Sequence, residues 1–232
     1  MTLELDRIEV RYGQAVAVAG VSLAPKARSW TLIIGPNGAG KTSLLRAAMG
    51  LVRHAGRVTV DGRDVSRLPA WERQRCGLGF VPEGRQLFGE MSVDENLRVG
   101  GYGCDPAMLR RGLERAYTTF PRLAERRDQL SATMSGGEQQ MLALARALMS
   151  EPRVLLVDEI SWGLSPILVA QVFAQLRALH REGITILQVE QNAHEALKHA
   201  EAALVMSAGV ITLSGAAAEI AADPRVIESY VG

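Results

Sequence analysis

A glycine-rich loop set between an apolar strand and a helix constrains this chain more than any other feature. Thr31-Leu32-Ile33-Ile34 is a short apolar run suited to a buried strand, and it leads into Gly35-Pro36-Asn37-Gly38-Ala39-Gly40-Lys41-Thr42 and a helix beginning near Lys41. The glycines let successive backbone N–H groups turn inward around an anion, and the helix adds its positive N-terminal end. Lys41 supplies a compact positive charge for terminal phosphates, and Thr42 a hydroxyl for a divalent cation. Lysine is scarce here: Lys26, Lys41 and Lys198 are the only ones among 26 basic residues. An ammonium fits a crowded phosphate cage that a planar guanidinium would overfill, so a lysine at this place answers a chemical need.

The loop satisfies the P-loop pattern (Walker A) in full, and such a loop needs an acidic partner on a neighbouring strand. Val154-Leu155-Leu156-Val157-Asp158-Glu159 supplies one: four apolar residues bury the strand, and two carboxylates emerge at its end, where open α/β sheets place their ligands. Asp158 is expected to hold Mg²⁺ through water, and Glu159 to orient or deprotonate the attacking water. The two motifs together point to ATP hydrolysis.

The remaining pattern is that of an α/β chain with a helical block inserted. Leu3 and Leu5, Ile8 and Val10, Val16 and Val18, and Val21 and Leu23 alternate with polar or small residues, but the phase slips between segments, which predicts bulges or turns. Val58 and Val60, closed by Asp61-Gly62, predict a hairpin strand returning to this N-terminal sheet, and Leu78 to Val81 another buried strand. From Ser92 to about Ser150 the period is helical. Ser92–Glu95 and Ser135–Glu138 have capping-box spacing, and Asp105-Pro106 places a cap before a proline at the first helical position. Strands at Val154–Val157 and Ile184–Val189 then alternate with helices from Pro166 and around Ala193–His199. Short strands at Leu204–Met206 and Val210–Leu213 and a small helix at Ala216–Ala222 follow. This alternation predicts a parallel sheet covered on both faces.

At 232 residues and 47% hydrophobic residues, the chain can bury a core without disulfides or a structural metal. Cys76 and Cys104 show no Cys-x-x-Cys or Cys/His clustering and are expected to be two reduced thiols. A net charge of +1 leaves no basic surplus for sequence-independent nucleic-acid binding. No apolar stretch approaches the roughly 18–20 residues that span a bilayer. Glu4, Asp6 and Arg7 are unlike a signal peptide, so a soluble, cytoplasmic chain is expected. His54, His180, His194 and His199 lack metal spacing, Trp30 and Trp71 read as core or interface aromatics, and Arg110-Arg111, Arg115 and Arg126-Arg127 read as a solvated face.

Ser135-Gly136-Gly137-Glu138-Gln139-Gln140 asks for more than capping. It is a second helix N-terminus with a hydroxyl cap and two glycines that are costly to order, hence a second anion site that one nucleotide site does not require. With this segment the chain resembles the ATP-binding-cassette family, whose signature is Ser-Gly-Gly-x-Gln, and the resemblance covers essentially the whole length. It implies an α/β fold of the P-loop NTPase class. The expected parts are a RecA-like nucleotide-binding core (31–90 and 151–232), an N-terminal antiparallel β-subdomain (1–30 and 56–62) and an inserted α-helical subdomain bearing the signature (91–150). It also implies a head-to-tail dimer in which each ATP lies between one subunit's P-loop and the other's signature. On this resemblance Tyr12 stacks on adenine, and Val18, Gly35, Pro36, Asn37, Gly38, Ala39, Gly40, Lys41, Thr42, Ser43 and Glu83 bind the nucleotide. Thr42, Glu83 and Asp158 hold Mg²⁺, Glu159, Lys41 and Gln191 serve hydrolysis, and Ser135, Gly136, Gly137 and Glu138 contact the ATP of the partner subunit.

Val81–Arg85, Thr133–Ala143, Ala147–Ser150 and Val189–Ala193 narrow the resemblance to one branch, the second ATP-binding subunit of bacterial importers for branched-chain and other hydrophobic amino acids. Glu83 stands where the wider family usually has Gln, and Gln191 where it usually has a switch His; both agree with this branch. Ile160, Trp162 and Ser165 depart even from the branch. Ile160 replaces a proline, so the turn after Glu159 is less preorganised. The implied partners are a second ATPase subunit (a heterodimer, or a homodimer in isolation), transmembrane permease subunits that face the helical block and, indirectly, a periplasmic or extracellular substrate-binding protein, with no nucleic acid. The implied place is peripheral, on the cytoplasmic face of the inner or cytoplasmic membrane. Urea, short-chain amides or an exported lipid stay open as other cargoes, and a non-transport cassette protein of DNA repair or translation as the reading from another class. A small-molecule P-loop kinase would not need Ser135–Gln140.

Gln191 cannot carry imidazole's titratable proton, and Glu83 adds negative charge that is unfavourable beside phosphate without a cation. Hydrolysis at this chain's own P-loop is therefore expected to be slower than at a partner ATPase with the usual Gln and His. Lys41→Ala here should cost the assembled transporter less turnover than the equivalent change in the partner; equal losses would count against the asymmetry.

Overall fold

The computed structural model describes residues 2–191 and 193–226. Strands β1 (Leu3–Tyr12) and β2 (Ala15–Leu23) form an antiparallel hairpin, followed by β3 (Trp30–Ile34), α1 (Lys41–Met49), β4 (Ala55–Val60), β5 (Arg63–Asp64), α2 (Ala70–Arg75) and β6 (Leu78–Val81). The helical block holds α3 (Val93–Gly100), α4 (Pro106–Thr119), α5 (Pro121–Glu125) and α6 (Gly136–Leu148). The chain then runs through β7 (Val154–Asp158), α7 (Pro166–Arg181), β8 (Thr185–Glu190), α8 (His194–Leu197), β9 (Ala202–Ser207), β10 (Val210–Ala216), α9 (Ala217–Ala222) and α10 (Pro224–Val226).

Two sheets result. The first is antiparallel, four-stranded, in the order β2-β1-β4-β5. Its register shifts between Leu5 and Ile8 and again at Ile8/Glu9 and Val10/Arg11, which is the phase slip of the sequence pattern. Arg7 takes a left-handed φ of 50° there, and its N–H donates to Ser22 Oγ at 2.9 Å. The second sheet is six-stranded, in the order β10-β9-β3-β8-β7-β6, parallel except for the β9–β10 hairpin. Every residue of β3, β7 and β8 is buried, as near-continuous apolar runs in a doubly covered parallel sheet must be.

Alternation along β3 divides the interior. Leu32 and Ile34 face a core with Phe173 and Leu176 of α7, while Ile33 faces Leu44 and Leu45 of α1. In the helical block, Ser92 and Ser135 each close a full capping box, and the Asp105 side chain accepts from the N–H groups of Ala107 and Met108. The arginines of this block are tied down more than a solvated face requires: Arg111 pairs with Glu151, Arg115 with Glu182, Arg126 with Glu138 and Arg127 with Asp94. Trp30 is buried, whereas Trp71 is exposed with the Arg75 guanidinium over its ring at 5.1 Å. Among the described residues no helix is long and apolar enough to cross a membrane.

Sequence periodicity missed α2, and α2 carries the element that fixes the far end of α1. Arg73 is buried and donates to the carbonyls of Ala47 (2.7 Å) and Ala48 (2.9 Å) at the C-terminus of α1, and to Leu68 (3.0 Å) and Ser66 (2.7 Å). A cation at the negative end of the helix dipole, satisfied by four carbonyls, needs no carboxylate partner. Arg73→Ala should lower the unfolding free energy by about 2–4 kcal/mol, read by urea denaturation, because it strips donors from several buried carbonyls at once.

Candidate active site

The C-terminal ends of β3 and β7 lie in one parallel sheet with β8 between them, so the glycine loop and the acidic pair converge at one edge. Asn37, Gly38, Ala39, Gly40, Lys41, Thr42 and Ser43 line a cavity of 390 Å³ together with Ala17, Glu83 and Glu159. Gly40 has φ 101°, and a Cβ there would sit 2.1 Å from the Ala17 carbonyl oxygen, so no other residue fits where the loop enters α1.

Lys41 is 4% exposed. Its ammonium donates to the carbonyls of Gly35 at 2.8 Å and Pro36 at 3.2 Å and pairs with Glu159 Oε1 at 3.2 Å. Thr42 Oγ1 donates to Asp158 Oδ1 at 2.8 Å. Burial foremost pushes the Asp158 carboxyl up to about 6, aided by the charges of Glu83 and Glu159 and opposed by the Thr42 hydrogen bond. Asp158 Oδ2 is buried with no hydrogen-bond partner. An acceptor left bare beside a threonine hydroxyl and near further carboxylates suits a hard divalent cation. Among the described residues no three His, Cys, Asp or Glu side chains converge as a metal cage.

Glu159 has a left-handed φ of 41°, uncommon for a residue other than glycine, and its N–H donates to the Val189 carbonyl at 3.0 Å. It also lines a second cavity, of 700 Å³, with Ser161, Trp162, Glu190, Gln191 and His194 among its walls. Gln191 is exposed there. Asn192 lies outside the described residues. Trp162 is 63% exposed, so the residue that departs most in size from the branch pattern stands on the surface, while Ile160 is buried.

Other residues singled out in sequence fall as follows. Tyr12 is half-exposed, with its hydroxyl 3.4 Å from Ser43 Oγ. Val18 is corrected: it is wholly buried in the core under the antiparallel sheet, and the preceding Ala17 faces the cavity, because strand alternation turns Val18 away. Ser135, Gly136, Gly137 and Glu138 line none of this cavity. Ser135 N–H and Oγ donate to Glu138 Oε2 at 3.0 and 2.8 Å, and Glu138 pairs with Arg126 at 2.8 Å. Gly137 has a packing reason that the sequence hid, since a Cβ there would lie 2.4 Å from Leu168 Cδ2 of α7. Arg85 reaches Gln139 of α6 at 3.0 Å, and Arg146 donates to the carbonyls of Arg85 and Gln86, so the segment after Glu83 is fastened to the helix that begins at the signature.

The family model described as ABC transporter matches residues 18–161, a span that holds the glycine loop, the Ser135–Gln140 segment and the Asp158-Glu159 pair. The chain belongs to the ABC transporter family. This ABC ATPase is 41% identical over 231 residues to the high-affinity branched-chain amino acid transport ATP-binding protein BraG of Pseudomonas aeruginosa, covering 99% of each chain. It is 34% identical over 220 residues to a probable branched-chain amino acid transport ATP-binding protein, LivF, of Archaeoglobus fulgidus, covering 94% of this chain and 93% of that one. A nucleotide-free ATP-binding cassette from an ABC transporter superposes on it with a TM-score of 0.87 at 28% identity, over 100% of both chains.

A buried polar chain on β8 escaped the sequence reading. Gln188 and Glu190 occupy alternate positions after the apolar Ile186 and Leu187 of a wholly buried strand, which was the available signal. Trp30 Nε1 donates to Gln188 Oε1 at 2.9 Å, and Gln188 Nε2 to Glu190 Oε1 at 3.0 Å. Burial pushes the Glu190 carboxyl up to about 7, against the lowering effect of its hydrogen bonds from Ser161 and Gln188. Because this value lies above the ordinary one near 4.5, the folded state binds more protons than the unfolded one between those pH values, so stability falls as pH rises through that window. The stability of wild type relative to Glu190→Gln should therefore decline by roughly 3 kcal/mol between pH 4.5 and 8, measured by urea unfolding at several pH values.

Proposed function

We propose that this chain is the ATP-hydrolysing subunit of an importer for branched-chain or other hydrophobic amino acids. The observation that carries the catalytic part is the meeting of Lys41, Thr42, Asp158 and Glu159 at one sheet edge, with a bare acceptor on Asp158. The end-to-end likeness to BraG supports the cargo class.

In this reading the loop N–H groups and Lys41 cradle the phosphates, and Tyr12 stacks on the adenine. Thr42 and Asp158, with Glu83 nearby, hold Mg²⁺, which when bound neutralises phosphate charge. Glu159 leaves Lys41 for the attacking water and takes its proton as the water adds to the γ-phosphorus and the bond from that phosphorus to the β–γ bridging oxygen breaks, so that ADP leaves and inorganic phosphate forms. Gln191 offers a neutral hydrogen bond to the γ-phosphate. Ser135, Gly136 and Gly137, at the N-terminus of the 13-residue α6, meet the ATP of a second ATPase subunit, a different chain in the assembled importer. Exposed Trp162 and Ile167 beside the site supply apolar surface for that subunit. A cleft of 180 Å³ lined by Gln74, Arg75, Tyr102, Cys104 and Met108, with Trp71 and Tyr102 exposed, suits a docking helix of the permease. The chain then works peripherally, at the cytoplasmic face of the membrane, and contacts the substrate-binding protein only through the permease.

Glu159→Gln should cut phosphate release about 100-fold or more and leave an ATP-stabilised dimer on size exclusion. In vesicles carrying the co-purified membrane subunits it should abolish leucine uptake. Undiminished hydrolysis would remove Glu159 from the reaction, and vesicles that take up urea rather than leucine would overturn the cargo class.

A further inference from the structure

Two consecutive residues of β8 grip the turn that carries Glu159. Val189 does so through its carbonyl, which accepts the Glu159 N–H at 3.0 Å. Glu190 does so through its side chain: Oε2 accepts the Ser161 hydroxyl at 2.8 Å, and Oε1 accepts the Ser161 N–H at 3.3 Å. Gln191 follows directly, just past the end of β8. Across the sheet Glu190 pairs with Ile34, the last residue before the glycine loop. One carboxyl thus stands where the ends of β3, β7 and β8 meet, 1% exposed.

Packing alone does not call for an acid here. A buried carboxylate costs more than an apolar side chain of similar volume unless its hydrogen bonds recover the loss, and burial does push Glu190 up to about 7. Its partners show where the benefit goes. Two of its three hydrogen bonds end on Ser161, and the third comes from Gln188, whose own oxygen is anchored by Trp30. Glu159 is held at φ 41°, a conformation that needs outside support, and Ile160 cannot fix the following φ as a proline ring would. The Glu159 carbonyl also accepts from Trp162 N–H at 3.2 Å, so Ser161 lies at the middle of the turn.

We propose that Glu190 is a positioning residue that, through Ser161, holds Glu159 in its hydrolytic orientation. The inference rests on the reading of Glu159 as the group that meets the attacking water. A side chain acting only through Glu159 affects the chemical step and not nucleotide affinity.

The test is a cycle of variants on the full chain with its partner subunit. Ser161→Ala should lower single-turnover hydrolysis about 10- to 100-fold, with the ATP dissociation constant, read by calorimetry, unchanged within about twofold. Ser161→Thr, which keeps the hydroxyl, should restore most of the rate. Glu190→Leu should match Ser161→Ala, and the double variant should lose no more than either alone. In a Glu159→Gln background, Ser161→Ala should remove less than about twofold of what hydrolysis is left, since the group it positions is already gone. An equal fold loss in both backgrounds, weakened ATP binding in step with the rate, or an unchanged rate in Ser161→Ala would overturn the proposal. If Glu159→Gln itself hydrolyses at the wild-type rate, the reading of Glu159 fails and this inference with it. If Glu159→Gln is inactive while Ser161→Ala is not impaired, only the inference fails.

Discussion

An ammonium that is almost wholly buried has to be surrounded by oxygen, and the geometry of the site follows from how Lys41 meets that demand. Two of its oxygens are carbonyls of its own loop, at Gly35 and Pro36, and the third belongs to Glu159. The loop can offer those carbonyls only because it leaves β3 and enters α1 through the tight passage at Gly40. Glu159 can offer its carboxylate only because β7 ends in the same sheet with β8 between. The parallel sheet is therefore the device that brings a basic loop and an acidic strand end together, with Asp158 and Glu190 at the C-terminal ends of its strands.

That edge is crowded with negative charge. The charges of Glu83 and Glu159 act on Asp158 and that of Glu159 acts on Glu190, and Asp158 and Glu190 both move up from their ordinary range, chiefly through burial. The two have different remedies. Asp158 keeps an oxygen without a partner, which suits a cation. Glu190 spends both oxygens on its neighbours, so its acidity is used internally. Position in the strand separates them: Asp158 faces the phosphate cradle, and Glu190 shares its face with Gln188, which contacts the Trp30 indole.

Much of this could be read from sequence because local rules were obeyed. The glycine loop after Thr31–Ile34, the apolar strand ending in Asp158-Glu159, and the capping residues Ser92, Asp105 and Ser135 all depend on neighbours within a few positions, and each stands where its pattern indicated. What escaped notice depends on partners far along the chain. The six residues of α2 are too few to show a period, and Arg73 reads as one more surface arginine until Ala47 and Ala48 are seen above it. Val18 is off by a single residue, because strand alternation turns it into the core and leaves Ala17 facing the cavity. Gly137 was read for anion binding alone, whereas Leu168, 31 positions away, also excludes a side chain there. Glu190 and Ser161 are 29 positions apart, and nothing local pairs them.

The Arg73 contact has one more consequence. Because α1 is bolted at its C-terminal end to two other segments, the phosphate cradle at its N-terminal end is mounted on a fixed support. The turn after Glu159, by contrast, leans on one side chain and bears an exposed indole at its tip. The two halves of the site therefore differ in how many contacts secure them: a change at one buried side chain, Glu190, reaches the turn of Glu159, whereas the cradle rests on a helix that Arg73 clamps through four carbonyls.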